Sequence, residues 1–521
     1  MSSNAQTAPK EFGKLRAFFW PIHNYELKKI IPMLLMFFFI SFNYSLLRNL
    51  KDALVINAAG SPGAQIIPYL KFWGVIPCAI LFMVGFSKMS NVMSKKNLFY
   101  CSLIPFAIFF ALFGYVLYPM KAALHPLHLH LSFVPEGLQA TIRIWTFSLF
   151  YIFAELWGSV ALSLLFWGFA NDTTKINESK RFYPLFGLGA NVALIFSGKA
   201  SHYFAQFSEQ AMLQSIMSIA LVVIACVVAI YWWINRYVMT DPRFFDPTQV
   251  KKKKKKTKMK LTDSFKLLMH SKYLMYIAIL VVVYGVSINL LEVTWKDQVR
   301  TLYPNTNEYL SFMGTYSTML AWTTMLMMLF FTNNIIRIFG WGFAAAVTPV
   351  TMLVTGAGFF GILIMKDHLG GLFHMMGTTP LVAAVFFGTC QNVISKAAKY
   401  SLFDPTKEMT YIPLDEESKV KGKAAIDIVG ARLGKAGSSV IQQGLFMIAP
   451  LTVMTPYIGA LVALFVGIWL FAISRLSKEF SARTAVEATP RETVEAESTK
   501  AQDAAADIAA SVTNPELKTS S

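Results

Sequence analysis

The sequence predicts an all-α polytopic membrane protein with twelve transmembrane helices, and three observations support this prediction. Apolar residues occupy 55% of the 521 positions, a fraction that soluble domains cannot bury. Apolar runs recur that are long enough to cross the roughly 30 Å hydrocarbon core of a bilayer. Lys and Arg residues, which contribute to a net charge of +18, alternate between dense and sparse loops. Such a chain crosses the membrane many times.

The twelve predicted spans follow from the apolar runs taken in order. They cover residues 30–48, 65–86, 98–118, 141–169, 183–205, 212–236, 273–292, 309–331, 338–365, 379–398, 436–454 and 457–474. Basic residues are dense before the first span, after the second, fourth and sixth spans, and in the loop after the tenth. The loops 119–140, 206–211 and 366–378 contain few. Because positively charged loops stay on the cytoplasmic side, we predict that both termini are cytoplasmic.

A run of six lysines, Lys251–Lys256, separates six predicted spans from six. We therefore predict an N-terminal half over 1–237, a basic cytoplasmic linker over 238–272, a C-terminal half over 273–475 and a disordered tail over 476–521. Two six-helix halves around a central cavity are the layout of the major facilitator architecture. A solvated linker attracted to anionic lipid explains the lysine run better than a nucleic-acid arm, because no aromatic residues are interspersed.

The stretch Tyr44–Val55, YSLLRNLKDALV, ends the first apolar run and brings Arg48, Lys51 and Asp52 close together. A similar pattern, NLLEVTWKDQV, occupies Asn289–Val299 near the start of the second half. Both contain Leu-Leu, a charged residue and then Lys-Asp, with one extra residue in the second copy. Long basic side chains at a helix end can also extend to the lipid headgroups. The repetition instead favours duplicated halves with ionisable groups at equivalent places.

Few ionisable residues lie within the predicted spans, and each is costly unless it faces a partner or a wet cavity. They are Lys71, Arg143, Glu155, Lys199 and Glu292, while Lys396, Lys399 and Lys435 lie at the ends of the tenth and eleventh spans. Together with Arg48 and Lys51, the bases outnumber the acids. Ion pairs that only hold helices together could use Glu155 and Glu292, but they would leave the remaining bases unneutralised. The excess predicts a cavity for a polyanion, and ammonium groups suit phosphate oxygens.

Aromatic residues surround Glu155 and suggest a site for a purine ring, which could stack on them and bond an amide. The candidates are Tyr151, Phe166, Phe169 and, in the next span, Asn191. Because aromatic residues are frequent throughout this chain, packing or contact with lipid is the competing explanation for each.

Several motifs receive no chemical role. Gly430–Ala436 resembles a phosphate-binding loop, but three residues rather than four separate its glycines, and no Ser or Thr follows the lysine. His125, His128 and His130 lie on a short external loop, where we do not expect a metal site. The four cysteines show no CxxC spacing. We therefore expect no cofactor and no metal, and without a carboxylate cluster or nucleophile–base pair in the spans a membrane enzyme is disfavoured.

Longer segments resemble the ATP/ADP translocase family, the nucleotide transporters of obligate intracellular bacteria and plastids. They include FAELWGSVALSLLFWGFAN, LLEVTWK and the most specific one, SKAAKYSLFDPTKEMTYIPLDEESKVKGKAAIDIVGARLGKAGSS. The resemblance implies a twelve-helix carrier in the bacterial inner membrane that exchanges adenine nucleotides. It also implies transport roles for Lys51, Glu155, Glu292 and Lys435. Members that couple nucleotides to protons, or that carry NAD, share these motifs.

The residues and the resemblance together predict import of host ATP in exchange for ADP by alternating access, without hydrolysis. We expect the phosphates to bind the basic residues Lys51, Arg48, Lys71, Arg143 and Lys435. Glu155 and Glu292 would form a charge network that holds these bases. A proton-coupled nucleotide symporter of broader specificity is the alternative. We expect ATP, ADP and membrane lipid as partners, no nucleic acid, and a monomer, and the loop Ser401–Ala425 has no assigned chemistry.

Overall fold

The computed structural model describes residues 20–174, 176–241, 244, 271–415, 422, 423, 426 and 430–512, with side chains except at 176, 177, 180, 333, 431 and 485–512. Within this part of the sequence the regular structure is helical. The helices are α1 Leu27–Asn57, α2 Gly63–Val92, α3 Lys95–Leu117, α4 Glu136–Arg143, α5 Trp145–Thr173, α6 Ile176–Phe204, α7 Glu209–Val238, α8 Lys272–Leu302, α9 Thr306–Leu326, α10 Thr332–Met375, α11 Pro380–Met409, α12 Ala431–Ile448 and α13 Leu451–Val512. A kink at Gly340, whose φ is +78°, divides α10 into two helical parts.

Nine helices in the described residues are long and apolar enough to cross a membrane: α1, α2, α3, α5, α7, α8, α10, α11 and α13. The chain is therefore a multi-pass helical membrane protein, as the composition predicts. The predicted spans 183–205, 309–331 and 436–454 fall on α6, α9 and α12. These three helices are too polar or too short for length and composition alone to identify them as spans.

We refer to α1–α7 as the N-terminal helix group and to α8–α13 as the C-terminal helix group. Within the first group α1 is central and contacts α5, α6 and α7, while in the second α8 contacts α11, α12 and α13. The groups meet where α6 packs on α9, α2 on α12, and α1 on α9. The first helices of both groups, α1 and α8, thus lie at the centre of the molecule.

Glycines allow two of these helix pairs to approach closely. A Cβ atom at Gly198 in α6 would lie only 2.4 Å from the carbonyl oxygen of Gly314 in α9. A Cβ atom at Gly434 in α12 would lie 2.9 Å from the carbonyl oxygen of Val282 in α8. Small residues are favoured at such crossings because helices in lipid are held by close packing.

Short π-helical segments interrupt three of the helices that surround the centre. They are Leu70–Val75 in α2, Gly158–Phe166 in α5 and Lys399–Phe403 in α11. A π segment inserts an extra residue into the turn and redirects the side chains around it, and such segments are frequent at functional sites. Two of them carry or adjoin ionisable residues singled out by the sequence, Lys71 and Lys399.

The structure describes little of the predicted linker but much of the predicted tail. The lysine run Lys251–Lys256 and nearly all of the predicted linker lie outside the described residues. The predicted disordered tail instead begins inside α13, whose backbone is helical as far as Val512. Ala and Glu are strong helix formers, so a segment with too little apolar surface to pack can still adopt helical backbone.

Candidate functional site

A buried ion-pair group lies between α1 and α5. The Nζ atom of Lys51 is 2.8 Å from Oδ1 of Asp52 and 3.0 Å from Oε1 of Glu155. It also lies 3.7 Å from the ring centroid of Tyr151, close enough for a cation–π contact. The side chains of Lys51 and Asp52 are 2% and 1% exposed. Lys51 is therefore held from two sides by carboxylates and from a third by an aromatic face.

The same group continues into the C-terminal helices through Asp52. The other oxygen of Asp52, Oδ2, lies 2.8 Å from Nζ of Lys296 in α8. Lys296 is in turn 2.8 Å from Oε1 of Glu292, one helical turn earlier, and Lys396 in α11 lies 3.4 Å from the same oxygen. We call the six residues Glu155, Lys51, Asp52, Lys296, Glu292 and Lys396 the charge cluster.

Acids and bases alternate along the charge cluster, three of each. This alternation has a physical reason, because an unpaired ion in the interior costs several kcal/mol and a paired one far less. The Asp52–Lys296 pair is the only link of the cluster that joins the N-terminal to the C-terminal group among the described residues. The pair thus couples the positions of α1 and α8.

Three further bases lie around the charge cluster: Arg48, Lys71 and Lys435. Arg48 is within electrostatic range of Glu292, while Lys71 and Lys435 are within range of Glu155. Within the described part of the chain, none of the three forms an ion pair. Lys435 is exposed, whereas Arg48 and Lys71 are partly buried. Among the residues that the structure describes, the centre of the molecule therefore carries six bases and three acids, an excess of three positive charges.

Lys71 lies on the π segment of α2 and reaches across to the C-terminal group. Its Nζ donates a hydrogen bond to Oδ1 of Asn289, at 2.7 Å. The backbone carbonyl oxygen of Asn289 accepts a separate hydrogen bond from Nε2 of Gln442 in α12, at 3.0 Å. A neutral amide leaves the charge of the ammonium group uncompensated, so Lys71 is positioned but not neutralised.

Hydrogen bonds between the two groups gather beyond the charge cluster, where α1, α6 and α8 end and α2 and α9 begin. Arg300 donates to the carbonyl oxygen of Ser61 at 3.4 Å, and Gln443 donates to that of Pro68 at 3.2 Å. Asn307 donates to the carbonyl oxygens of Ala205 and Phe207, at 3.1 and 2.7 Å. We call this side of the molecule the closed end. It lies at the loop 206–211, where basic residues are sparse.

Arg143, predicted to bind phosphate, lies away from the other bases. Its Nε donates to the carbonyl oxygen of Leu129 at 2.7 Å, Nη1 lies 2.6 Å from Oε1 of Glu136, and Nη2 donates to Oε1 of Gln139 at 3.2 Å. Helix α4 ends at Arg143, and the turn before α5 directs this side chain into the 119–144 segment. The structure assigns Arg143 to that segment and not to the centre.

The predicted nucleobase residues are mostly engaged in packing. Phe166 is fully buried against Phe37, with ring centroids 4.4 Å apart, and Phe169 meets the edge of Tyr231 at 5.2 Å. Asn191 donates back to the carbonyl oxygen of Gly187 in its own helix at 3.0 Å. Of the four candidates, Tyr151 alone borders the charge cluster, and Lys51 covers its ring.

The sequence candidates did not include the residues that complete the charge cluster. Asp52 and Lys296 stand in the repeated Lys-Asp pattern without a predicted role in the site, and Lys396 is predicted only as a base at a helix end. The repeat itself was a usable signal, because the second copy of a pattern that contains Lys51 contains Lys296.

The histidines of the 119–144 segment show no sign of a shared site among the described residues. His125 hydrogen-bonds through Nε2 to Oγ1 of Thr146, at 2.6 Å. Burial and the nearby charge of Lys121 lower the pKa of His125. The hydrogen bond anchors the segment to the start of α5.

Comparison with known proteins identifies the family. A family model described as the TLC ATP/ADP transporter matches residues 5–480. The chain belongs to this transporter family. The ADP,ATP carrier protein 1 of Chlamydia trachomatis is 50% identical over 92% of this chain and 94% of that protein. The ADP,ATP carrier protein 1 of Rickettsia prowazekii is 41% identical over 90% of this chain and 96% of that protein. The chloroplastic ADP,ATP carrier protein 1 of Arabidopsis thaliana is 46% identical over 96% of this chain and 80% of that protein. The resemblance seen in the sequence is confirmed.

Solved structures show a similar fold at low sequence identity. A bacterial homologue of the iron transporter ferroportin in an inward-facing state gives a TM-score of 0.57 at 14% identity, covering 88% of this chain and all of that one. The xylose transporter XylE in an inward-open conformation gives a TM-score of 0.51 at 11% identity, covering 88% of this chain and 96% of that one. The fold that the chain shares with these solved transporters thus agrees with its membership of the TLC ATP/ADP transporter family.

Proposed function

We propose that this chain is a secondary carrier of the bacterial inner membrane that imports ATP in exchange for ADP by alternating access. Twelve helices in two six-helix halves, with both termini in the cytoplasm, are part of the proposal. The names of the Chlamydia, Rickettsia and plastid relatives support the substrates. The likeness to inward-facing transporters supports the mode of transport.

One observation supports this function most directly: the surplus of three bases among the described residues at the centre of a membrane protein. Three uncompensated cations in one place would repel each other, so the arrangement is favourable only with an anion of high charge. A nucleotide di- or triphosphate brings about three or four negative charges in a compact group of oxygens, which Arg and Lys bind well.

We assign the phosphates first to Arg48, Lys71 and Lys435, because none of these bases has to leave an ion pair before it binds a phosphate. Arg48 and Lys71 belong to the N-terminal group and Lys435 to the C-terminal group. A phosphate chain bound by all three would be held from both sides. Such two-sided contact lets the substrate draw the two groups together, as alternating access requires.

The inward-facing neighbours suggest that the closed end is the external one. Opening it would separate α1 from α8 and break the Asp52–Lys296 pair. In an empty carrier, the opposite side would have to close at the same time and bring the surplus bases close to one another with no bound anion between them. A like-charge pair about 4 Å apart costs about 4 kcal/mol at an effective dielectric constant of about 20. A barrier difference of about 4 kcal/mol slows a step about a thousandfold, so only the loaded carrier should reorient quickly.

The geometry favours exchange over proton coupling. A proton-coupled symporter needs a carboxylate that takes up and releases a proton during the cycle. The three acids of the charge cluster each lie within 3.4 Å of a lysine ammonium group. An ion-paired carboxylate resists protonation, because the proton would leave the partner charge uncompensated.

Counterflow in liposomes tests the proposal. Purified protein is reconstituted into liposomes loaded with ADP or with buffer alone, and uptake of labelled ATP is followed. We expect ADP loading to stimulate the initial uptake rate about a hundredfold or more, and a proton gradient to have little effect, because the empty carrier reorients slowly. ATP uptake driven by a proton gradient into nucleotide-free liposomes, at a rate near that of exchange, would contradict it.

A further inference from the structure

An exposed aromatic residue lies at the centre of the molecule, where exposure is not explained by lipid. Tyr400 is 40% exposed and lies on the π segment Lys399–Phe403 of α11. It is within electrostatic range of Arg48 and Lys396, so it borders the same space as the bases. The ammonium group of Lys399 lies 4.3 Å from the centroid of the Tyr400 ring and covers one of its faces. The exposed remainder of the ring offers a flat apolar surface for a ligand.

A second tyrosine borders this space from the N-terminal group. Tyr44 in α1 is partly buried and is within electrostatic range of Tyr400, Arg48 and Lys435. Its ring fits against Gly158 of α5, where a Cβ atom would lie 2.4 Å from the Tyr44 Cε2 atom. Gly158 therefore makes room for this ring, and a larger residue there would push the ring into the central space.

Both tyrosines are one helical turn from a base. Tyr44 precedes Arg48 by four residues in α1, and Tyr400 follows Lys396 by four residues in α11. Residues four apart lie on the same helix face, about 6 Å apart along the axis. Each tyrosine therefore faces the same way as the base in its own helix.

The helix directions place the two tyrosines at the same depth. Helices α1 and α8 run in the same direction, because Arg48 is near Glu292 and, one turn later in both, Asp52 contacts Lys296. Both approach the closed end at their C-termini. Tyr44 therefore lies one turn from Arg48 on the side away from the closed end.

Helix α11 runs in the opposite direction to α8. Lys396 contacts Glu292, whereas Phe403, later in α11, stacks on Tyr284, earlier in α8, with centroids 5.4 Å apart. Tyr400 lies between these two contacts in α11, so it is also displaced away from the closed end. Packing of Phe403 on Tyr284 and on Trp469 fixes the π segment that presents Tyr400.

We infer that Tyr44 and Tyr400 form a two-sided aromatic clamp for the nucleobase, one ring from each helix group. The clamp lies one turn from the phosphate-binding bases, on the side away from the closed end. This inference rests on the proposed function and assigns the base-recognition part of the same site. It replaces Phe166 and Phe169, which are already packed against other rings. Stacking accepts any nucleobase but favours the larger purine ring system.

Competition experiments test the clamp in ADP-loaded liposomes, with labelled ATP as substrate. The competitors are unlabelled ATP, UTP and inorganic tripolyphosphate, which has phosphates but no base. For Y44A and Y400A we expect the half-inhibiting concentration of ATP to rise about tenfold, as for loss of one stacked ring. That of tripolyphosphate should stay unchanged, and the preference for ATP over UTP should fall. Y44F and Y400F should behave as wild type, because stacking does not need the hydroxyl group.

A matched control is F386A, which removes an equally large ring, 60% exposed, from the same helix as Tyr400. It should leave all three competition values unchanged. Equal losses for ATP and tripolyphosphate in Y400A would overturn the clamp, and so would loss of ATP affinity in Y400F or wild-type values in both alanine variants. Absence of ATP–ADP exchange in the wild-type protein would instead refute the proposed function, so the two failures are distinct.

Discussion

The two copies of the Leu-Leu-charge-Lys-Asp pattern end in opposite charge arrangements. Four residues after the first charged residue, and hence on the same helix face, stands Asp52 in α1 but Lys296 in α8. The faces are therefore Arg48 with Asp52 on one helix and Glu292 with Lys296 on the other. The single extra residue in the second copy makes the two helices complementary, and the Asp52–Lys296 pair at 2.8 Å is the result.

The second aspartate of the repeat has a different role for the same reason. Asp297 is rotated by about 100° from Lys296 and leaves the face that meets α1. It lies beside Gly63, where a Cβ atom would be 3.1 Å from its Oδ1 atom, and close to Arg300 at the closed end. Sequence equivalence of Asp52 and Asp297 thus does not mean functional equivalence. One joins the charge cluster and the other lies against the loop before α2.

The largest effect on exchange should come from removing the charge of Asp52, the aspartate that joins the charge cluster. D52N leaves the buried lysines Lys51 and Lys296 without their shared partner, and loss of one member of a buried pair costs about 3–5 kcal/mol. We expect exchange to fall about a hundredfold or more. D297N, at the equivalent position of the repeat, should keep most of the activity. Initial exchange rates at matched protein content measure both, and equal losses would contradict the distinction.

Removing both members of the pair sharpens the same comparison. K296Q alone should lower exchange and thermal stability, because Asp52 and Glu292 lose a partner. The double variant D52N/K296Q leaves no unpaired charge at this link and should be more stable than either single variant, with a coupling of about 0.5–3 kcal/mol. Thermal unfolding in detergent of the four proteins completes the cycle. Additive losses would show that the two residues do not act as a pair.

A smaller effect distinguishes an unpaired central arginine from a paired peripheral one. R48Q removes a base free to bind phosphate, and a charged hydrogen bond contributes about 1.5–3 kcal/mol, so the apparent affinity for ATP should fall about tenfold or more. R143Q removes an arginine already bonded to Glu136, Gln139 and Leu129 and should leave that affinity unchanged. Concentration dependence of uptake checks both. A larger affinity loss in R143Q would restore the original assignment of Arg143.

The smallest effect should appear at the closed end beside Asp297. Gly63 has φ +76°, and a Cβ atom there would lie 2.3 Å from Nη1 of Arg300. G63A should therefore cost about 1–3 kcal/mol of backbone strain and loosen the Arg300–Ser61 contact. We expect the melting temperature to fall by a few degrees with ATP affinity retained. G85A, where a Cβ atom would meet nothing within 4 Å, is the control. Identical unfolding of both variants would show that the closed end tolerates the change.

The sequence alone determined the class of protein and most of its central charges. Composition and apolar runs identify a multi-pass helical chain, because hydrocarbon excludes unsatisfied backbone and requires long apolar helices. The rarity of ionisable residues in such helices singles out Lys71, Glu155 and Glu292, and the repeated Lys-Asp pattern singles out Lys51, without a structure. The excess of bases, and with it an anionic substrate, follows from counting.

The tertiary structure alone decided which of these residues meet. Lys296 pairs with Asp52 across 244 positions, Arg143 bonds within its own segment, and Phe166 and Phe169 are used for packing. Local patterns set whether a residue is helical and apolar, but a helix turns about 100° per residue. One residue of register therefore decides whether a side chain faces the centre or a neighbouring helix, and only the packing of distant helices fixes that register.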